Sequence, residues 1–211
     1  MTAASIEELE ALVAERRLTL GEAHPDTLTA MLDLAEALWA EGRLSRARPL
    51  EEAVVAGRCA LYGEAHPETL KAIGKLATTV GQQGDLAAAR RLQEQVVAGM
   101  RALHGDEARD TLRASNNLAG TIAASGDAMT ARTVLEDAIA TLTRVFGADD
   151  GDTLTAMGNL AALLWQSGER EEAYALQDEV TASLRRSKAT DDPAVQRAQA
   201  VLDLMLREAF S

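Results

Sequence analysis

A phrase that returns every 42 residues limits what this chain can fold into more than any other feature of it. It reads Gly21-Glu22-Ala23-His24-Pro25-Asp26-Thr27-Leu28 and then Gly63-Glu64-Ala65-His66-Pro67-Glu68-Thr69-Leu70. It decays to Gly105-Asp106-Glu107-Ala108-Arg109-Asp110-Thr111-Leu112 and to Gly147-Ala148-Asp149-Asp150-Gly151-Asp152-Thr153-Leu154. Self-similarity at a fixed period of this size marks stacked units, none of which can bury its apolar face alone. The 211 residues are therefore expected to form a single repeat domain with one elongated core.

Each repeat carries two helical patterns. The proline of the phrase suits a first helical turn, where its missing N–H would be unpaired anyway, and Asp26 sets a negative charge at the positive end of the helix dipole. From there Met31, Leu34, Ala35 and Leu38 form an apolar stripe that runs to Gly42, a residue able to end a helix in the left-handed conformation. A second pattern runs from about Leu44 to Leu61, with Ala47, Leu50, Val54, Val55 and Leu61 on its buried side. We call these helix A and helix B.

The same marks recur as Leu76-Ala77, Gly84, Ala89 and Leu92, as Leu118-Ala119, Gly126 and Ala131, and as Leu160-Ala161, Gly168 and Ala173. Residues 5–20 form a lone helix B, opened by a Ser5-Ile6-Glu7-Glu8 capping box and striped by Ile6, Leu9, Leu12 and Val13. Pro193, 126 residues after Pro67, opens a fifth helix A. The expected order is a half repeat 5–20, repeats 21–62, 63–104, 105–146 and 147–188, and a terminal helix 193–210, about ten helices in an all-α chain. An aromatic content of 3% beside abundant Ala, Leu, Glu and Arg agrees. Pro49 falls early in a helix B; a late start near Arg48 is expected, with a kink as the alternative.

A net charge of −12 opposes nucleic acid as a partner, since a phosphate backbone selects clustered Lys and Arg. The start Met1-Thr2-Ala3-Ala4-Ser5-Ile6-Glu7-Glu8 lacks the basic and apolar regions of a signal peptide, and no apolar run approaches the roughly 18 residues of a membrane span. A cytoplasmic protein without membrane contact is expected, and the single Cys59 agrees with a reducing compartment.

Asn159-Leu160-Ala161, Gly168 and Glu172-Ala173 on a 42-residue period resemble the tetratricopeptide repeat, and the Gly-x-x-His-Pro-x-Thr-Leu linker is similar to the kinesin-light-chain type. The resemblance covers residues 5–210 and implies a right-handed α-solenoid of helical hairpins that serves as a protein-binding scaffold. Nothing indicates a kinesin, and the Ala/Arg-rich, Lys-poor composition is typical of a GC-rich bacterial genome.

In such a fold the A helices line a concave groove, and register names the groove positions. The second is Thr29, Lys71, Arg113 and Thr155; the fifth is Leu32, Gly74, Asn116 and Gly158; the sixth is Asp33, Lys75, Asn117 and Asn159. The ninth is Glu36, Thr78, Gly120 and Ala162; the twelfth is Trp39, Gly81, Ala123 and Trp165; Gln82 and Gln166 stand at the thirteenth. Of three lysines in the chain, Lys71 and Lys75 both fall here, with Arg113 on the next repeat. That placement invites an acidic partner segment, unless the lysines are a solvated strip. In the kinesin-light-chain type, an Asn before Leu-Ala on helix A hydrogen-bonds the main chain of an extended ligand; Asn117 and Asn159 match it, Asp33 and Lys75 do not. Asp33 and Glu36 should repel acids in the first repeat. Trp39 and Trp165 are either aromatic anchors or half-exposed packing residues. Gly74, Gly81, Gly120 and Gly158 cost helix stability for one of two reasons: close approach of neighbouring A helices, which is expected, or room for a ligand backbone.

No constellation for catalysis, metal or cofactor appears. His24 and His66 are equivalent loop residues that pack before proline, without Cys or a second His at ligand spacing. His104 aligns with Tyr62 and Phe146 as a packing residue, and no nucleophile elbow, phosphate loop or dinucleotide fingerprint occurs. The expected function is a non-catalytic scaffold that binds an extended acidic peptide or partner helix around Lys71, Lys75, Arg113, Asn116, Asn117 and Asn159. The alternative is a self-associating or sensor module, such as the repeat part of a regulatory ATPase system. Its motive is a terminal helix whose Val195, Val201, Leu202, Leu204, Met205, Leu206 and Phe210 exceed what one neighbour can cover.

Overall fold

A computed structural model describes residues 5–209. It contains α1 (Ile6–Leu20), α2 (Pro25–Ala40), α3 (Leu44–Tyr62), α4 (Pro67–Gln82), α5 (Leu86–His104), α6 (Arg109–Ala124), α7 (Ala128–Phe146), α8 (Gly151–Ser167), α9 (Arg170–Ser187) and α10 (Pro193–Ala209). The helices fall into two compact units, Met1–Gly105 and Asp106–Ser211, divided where the third printing of the phrase begins. The even helices up to α10 are A helices, and each packs on the B helix that follows or precedes it within its unit. None of the described helices is long and apolar enough to cross a membrane.

The phrase is a joint, and its Gly, His, Pro and Thr each have a local task. Gly63, Gly105 and Gly147 end the B helices at φ +88°, +88° and +102°, a region costly to any residue with a Cβ. His24 and His66 then act as helix caps: each Nδ1 accepts the backbone N–H two residues on, Asp26 or Glu68, at 3.2 Å. Pro25 and Pro67 follow at the first helical position. The expected packing also holds for His66, whose ring stacks on Tyr62 with centroids 4.7 Å apart. Arg16 and Arg58, 42 residues apart on B helices, donate to the Asp26 and Glu68 carbonyls at 2.7 and 2.9 Å and tie each joint to the preceding helix. The phrase's threonines, Thr27, Thr69, Thr111 and Thr153, are all buried.

In the second unit the joint changes chemistry. Ala108 offers α6 no side-chain cap, whereas Asp150 caps α8 by accepting the Asp152 N–H at 3.0 Å. Arg109 holds that cap, donating from both terminal nitrogens to Asp150 at 2.9 and 3.0 Å while lying 4.1 Å over the Phe146 ring. The Ser5-Glu8 capping box forms on α1 with both hydrogen bonds present.

Four expectations change. Helix α3 does not start late: it begins at Leu44 and contains Pro49. Its first turns are held by the fully buried Ala47 and by Arg48, which reaches Glu52 at 2.7 Å and Gln83 at 3.1 Å, and this packing offsets the lost backbone bond. Leu61 and Leu103 are exposed, because B helices of nineteen residues outrun the sixteen-residue A helices beside them. His104, in the same last turn, is exposed as well. On α10, Val195, Leu202 and Met205 are buried, so the excess apolar surface shrinks to Val201, Leu204 and part of Leu206; Phe210 lies outside the described residues.

Candidate functional site

The first unit contributes α2 and α4. Trp39, Asp33 and Glu36 are exposed on α2, whereas Leu32, expected beside them, is buried. On α4, Lys71 is exposed and Lys75 half-buried, and neither is an idle cation. Lys71 Nζ lies 2.8 Å from Glu68, one turn earlier on its own helix, and Lys75 pairs with Glu36 of α2. The Lys71 ammonium accordingly holds the Glu68 carboxyl below the usual carboxylate range. Glu36, expected to repel acids, instead neutralises the neighbouring lysine.

The second unit contributes α6, α8 and α10. Arg113 donates to Asp152 at 2.7 Å. Burial raises the Asp152 pKa, but hydrogen bonds from Arg113 and Arg109 outweigh it and hold that carboxyl low. Asn159 Nδ2 donates to Asn116 Oδ1 at 3.0 Å, so the Asn159 carbonyl oxygen takes no part in this bond. Asn117 and Gln166 are exposed. Trp165 is half-buried and already engaged: its indole N–H donates to Glu208 at 3.1 Å and Arg170 lies over its ring at 4.5 Å.

A cleft of 640 Å³ lies between α8, α9 and α10. Its walls include Leu154, Gly158, Asn159, Val180, Arg197 and Val201. Arg197 stands 126 residues after Lys71, at the second groove position of the fifth A helix. It is exposed, and unlike Lys71, Lys75 and Arg113 it has no ion pair among the described residues. Val201 and Leu204, the exposed apolar residues of α10, occupy its sixth and ninth positions, so they belong to the same face as Asn159. The terminal helix thus continues the A-helix register, and Arg197, four residues past Pro193, is the sequence signal for it.

The glycines separate by their surroundings. A Cβ on Gly74, Gly120 or Gly158 would meet nothing within 4 Å, which removes close helix approach as the reason for them; Gly81 would make only an ordinary contact with Ala89 at 3.4 Å. These positions leave backbone open to whatever lies on the A-helix face. The tight positions are elsewhere, at Gly57 and Gly99 on B helices, where a Cβ would stand 2.7 Å from Leu28 and 2.6 Å from Leu70.

A second group was hidden in the B helices. Glu51, Gln93 and Gln177 are buried polar residues at one register position whose third member is the buried Leu135. Glu51 Oε1 accepts the Thr79 hydroxyl at 2.9 Å, while its Oε2 and Gln93 Oε1 are buried without a partner. Loss of water pushes the Glu51 carboxyl above its ordinary range. Among the described residues no three His, Cys, Asp or Glu side chains stand together as metal ligands.

Profiles described as tetratricopeptide repeat match residues 27–68, 69–109 and 110–186. The chain is similar in structure to the nearly identical TPR-like repeats assigned to a kinesin light chain of Podosopora anserina, with 30% identity, 86% of each chain covered and a TM-score of 0.76. It is also similar to BtubC (BKLC) from P. vanneervenii, at 17% identity over 97% of this chain and 80% of that one, TM-score 0.70. A third likeness is PlcR of Bacillus thuringiensis in complex with the peptide PapR7 and DNA, at 13% identity over 95% and 68%, TM-score 0.65. The last two show the fold alone. No curated protein matches the chain in sequence.

Proposed function

Because the chain belongs to the tetratricopeptide repeat family, in its kinesin-light-chain-like form, we propose that it is a non-catalytic scaffold binding an extended, acid-bearing peptide of a partner protein on its A-helix faces. The observation that carries this reading is Arg197, a cation with no ion pair among the described residues, on the wall of a cleft that also presents Asn159 and the open backbone of Gly158. A peptide running along α8 and α10 would meet a carbonyl acceptor at Asn159, apolar contacts at Leu154, Val180 and Val201, and a bidentate carboxylate receptor at Arg197. Asn116, Asn117 and Gln166 extend the polar lining of this unit.

Lys71, Lys75 and Arg113 contribute by exchange. Their pairs with Glu68, Glu36 and Asp152 lie at or near the surface, where such pairs are worth little, so a partner's carboxylate can replace the internal one at small cost. In the first unit Trp39 offers an exposed aromatic contact, while Trp165 serves by holding the end of α8 to Glu208. Of the two partners seen with PlcR, a peptide suits these faces, and the net charge of −12 opposes DNA.

Selection of peptides from a random displayed library on the intact protein tests the proposal. The expected winners carry Asp or Glu and lose affinity on Asn159→Ala. A library that yields no binders, or binders indifferent to Asn159→Ala, overturns it.

A further inference from the structure

A second cleft, of 330 Å³, lies in the first unit and is lined by Glu36 and Trp39 of α2, Glu51 of α3, and Lys75 and Thr78 of α4. Two carboxyl groups face one ammonium there, and that ammonium is held by Glu36. Glu51 is only 2% exposed, one of its oxygens takes the Thr79 hydroxyl, and the other has no partner. A buried carboxyl oxygen without a donor is costly, and a cationic donor is what would relieve it. At the mouth stands Trp39, a large aromatic residue 38% exposed.

The chain itself supplies the pattern for what fills such a place. Trp165 is the equivalent of Trp39 three repeats on, and there a guanidinium, that of Arg170, lies 4.5 Å over the indole and 4.0 Å from the Glu208 carboxylate. In the register of Trp39 the residue matching Arg170 is Leu44, so the first indole has an acidic neighbourhood but no arginine of its own. We infer that this cleft receives one arginine side chain of a partner, its guanidinium stacked on Trp39 and hydrogen-bonded to Glu51 and Glu36. Trp39 and Lys75, both more than a third exposed, part to admit it. The site is independent of the peptide contact proposed at Asn159 and Arg197.

The test uses the intact protein labelled with nitrogen-15 and reads the two indole N–H signals, assigned with Trp39→Phe, during titration with N-acetyl-arginine amide. The neutral isostere N-acetyl-citrulline amide is the control. Expected is a saturable shift of the Trp39 signal with arginine amide, at least about tenfold weaker with citrulline amide and with Glu51→Gln or Glu51→Leu proteins. Both substitutions copy residues the same register already accommodates, Gln93 and Leu135, so loss of binding is separable from loss of fold. Equal responses to the two amides, wild-type titration by the Glu51 variants, or a shift confined to Trp165 would overturn the inference. Because the sites are independent, an acid-bearing peptide that binds wild-type protein at Arg197 while arginine amide leaves the Trp39 signal unmoved would keep the scaffold reading and overturn this one.

Discussion

Leu28 of α2 sits so closely on Gly57 of α3 that a Cβ at Gly57 would stand 2.7 Å from its Cδ2 atom. Leu70 and Gly99 repeat the contact one period later. Leu28 is almost wholly buried and has little room to turn away, so Gly57→Ala is expected to lower stability by about 1 kcal/mol, overpacking outweighing the gain in helix propensity. Denaturant midpoints measure it; a rise would mean that Leu28 repacks freely.

Gly74→Ala should act in the opposite direction. A Cβ there meets nothing, so the substitution is expected to add about 0.5–1 kcal/mol through backbone entropy alone. Gly158→Ala should be stabilising for the same reason and yet weaken peptide binding, because its Cβ would enter the cleft. A Gly158→Ala protein that is less stable than wild type would contradict the open surroundings described for it.

The raised pKa of Glu51 makes its contribution depend on pH, with a definite sign. Through the window from the ordinary value of 4.5 up to the native value, the folded chain keeps a proton that the unfolded chain releases. Stability from this group is therefore full below that window and is lost as pH rises through it. Glu51→Gln, which does not titrate, should match wild type in acid and exceed it by about 1 kcal/mol at neutral pH, read as the difference in unfolding free energy. A wild-type protein that gains on the variant as pH rises would refute the assignment.

Asp150 carries two duties at the start of α8, as cap and as anchor for Arg109. Asp150→Ala should cost about 1–2 kcal/mol, whereas Asp150→Asn retains a competent cap and should cost less. Thermal unfolding of the two variants side by side distinguishes capping from charge: equal losses would mean that the Arg109 contact dominates. The same hydrogen bonds hold the Asp150 carboxyl below its usual range.

Much of this architecture is written in the 42-residue register, because position in a stacked repeat decides which side of a helix faces its neighbours. Pro25 and Pro67 mark helix starts and Gly42 a helix end; α2 and α4 begin at these prolines, and Gly42 follows the end of α2 at φ +73°. Ion pairing was not legible in the same way. Arg113 meets Asp152 and Lys75 meets Glu36 across helices, 39 residues apart in sequence, and no local pattern marks such pairs. Glu51 is acidic and yet buried, a placement marked in the sequence only by Leu135, an apolar residue at the same register position. Arg197 is legible only when the groove register is extended to the terminal helix, where it stands 126 residues after Lys71. The cap role of His24 and His66 depends on side-chain direction, which spacing does not encode.

If the chain is a peptide scaffold, Arg197, which has no ion pair among the described residues, receives a partner's carboxylate more than the paired lysines do. The direct measurement is fluorescence anisotropy of an acid-bearing peptide selected on the wild-type protein, titrated with Arg197→Glu and with Lys71→Glu. The account predicts a loss of at least about tenfold for Arg197→Glu and a clearly smaller one for Lys71→Glu, whose cation is already spent on Glu68. Unchanged affinity on Arg197→Glu, or a larger loss from Lys71→Glu, would contradict it.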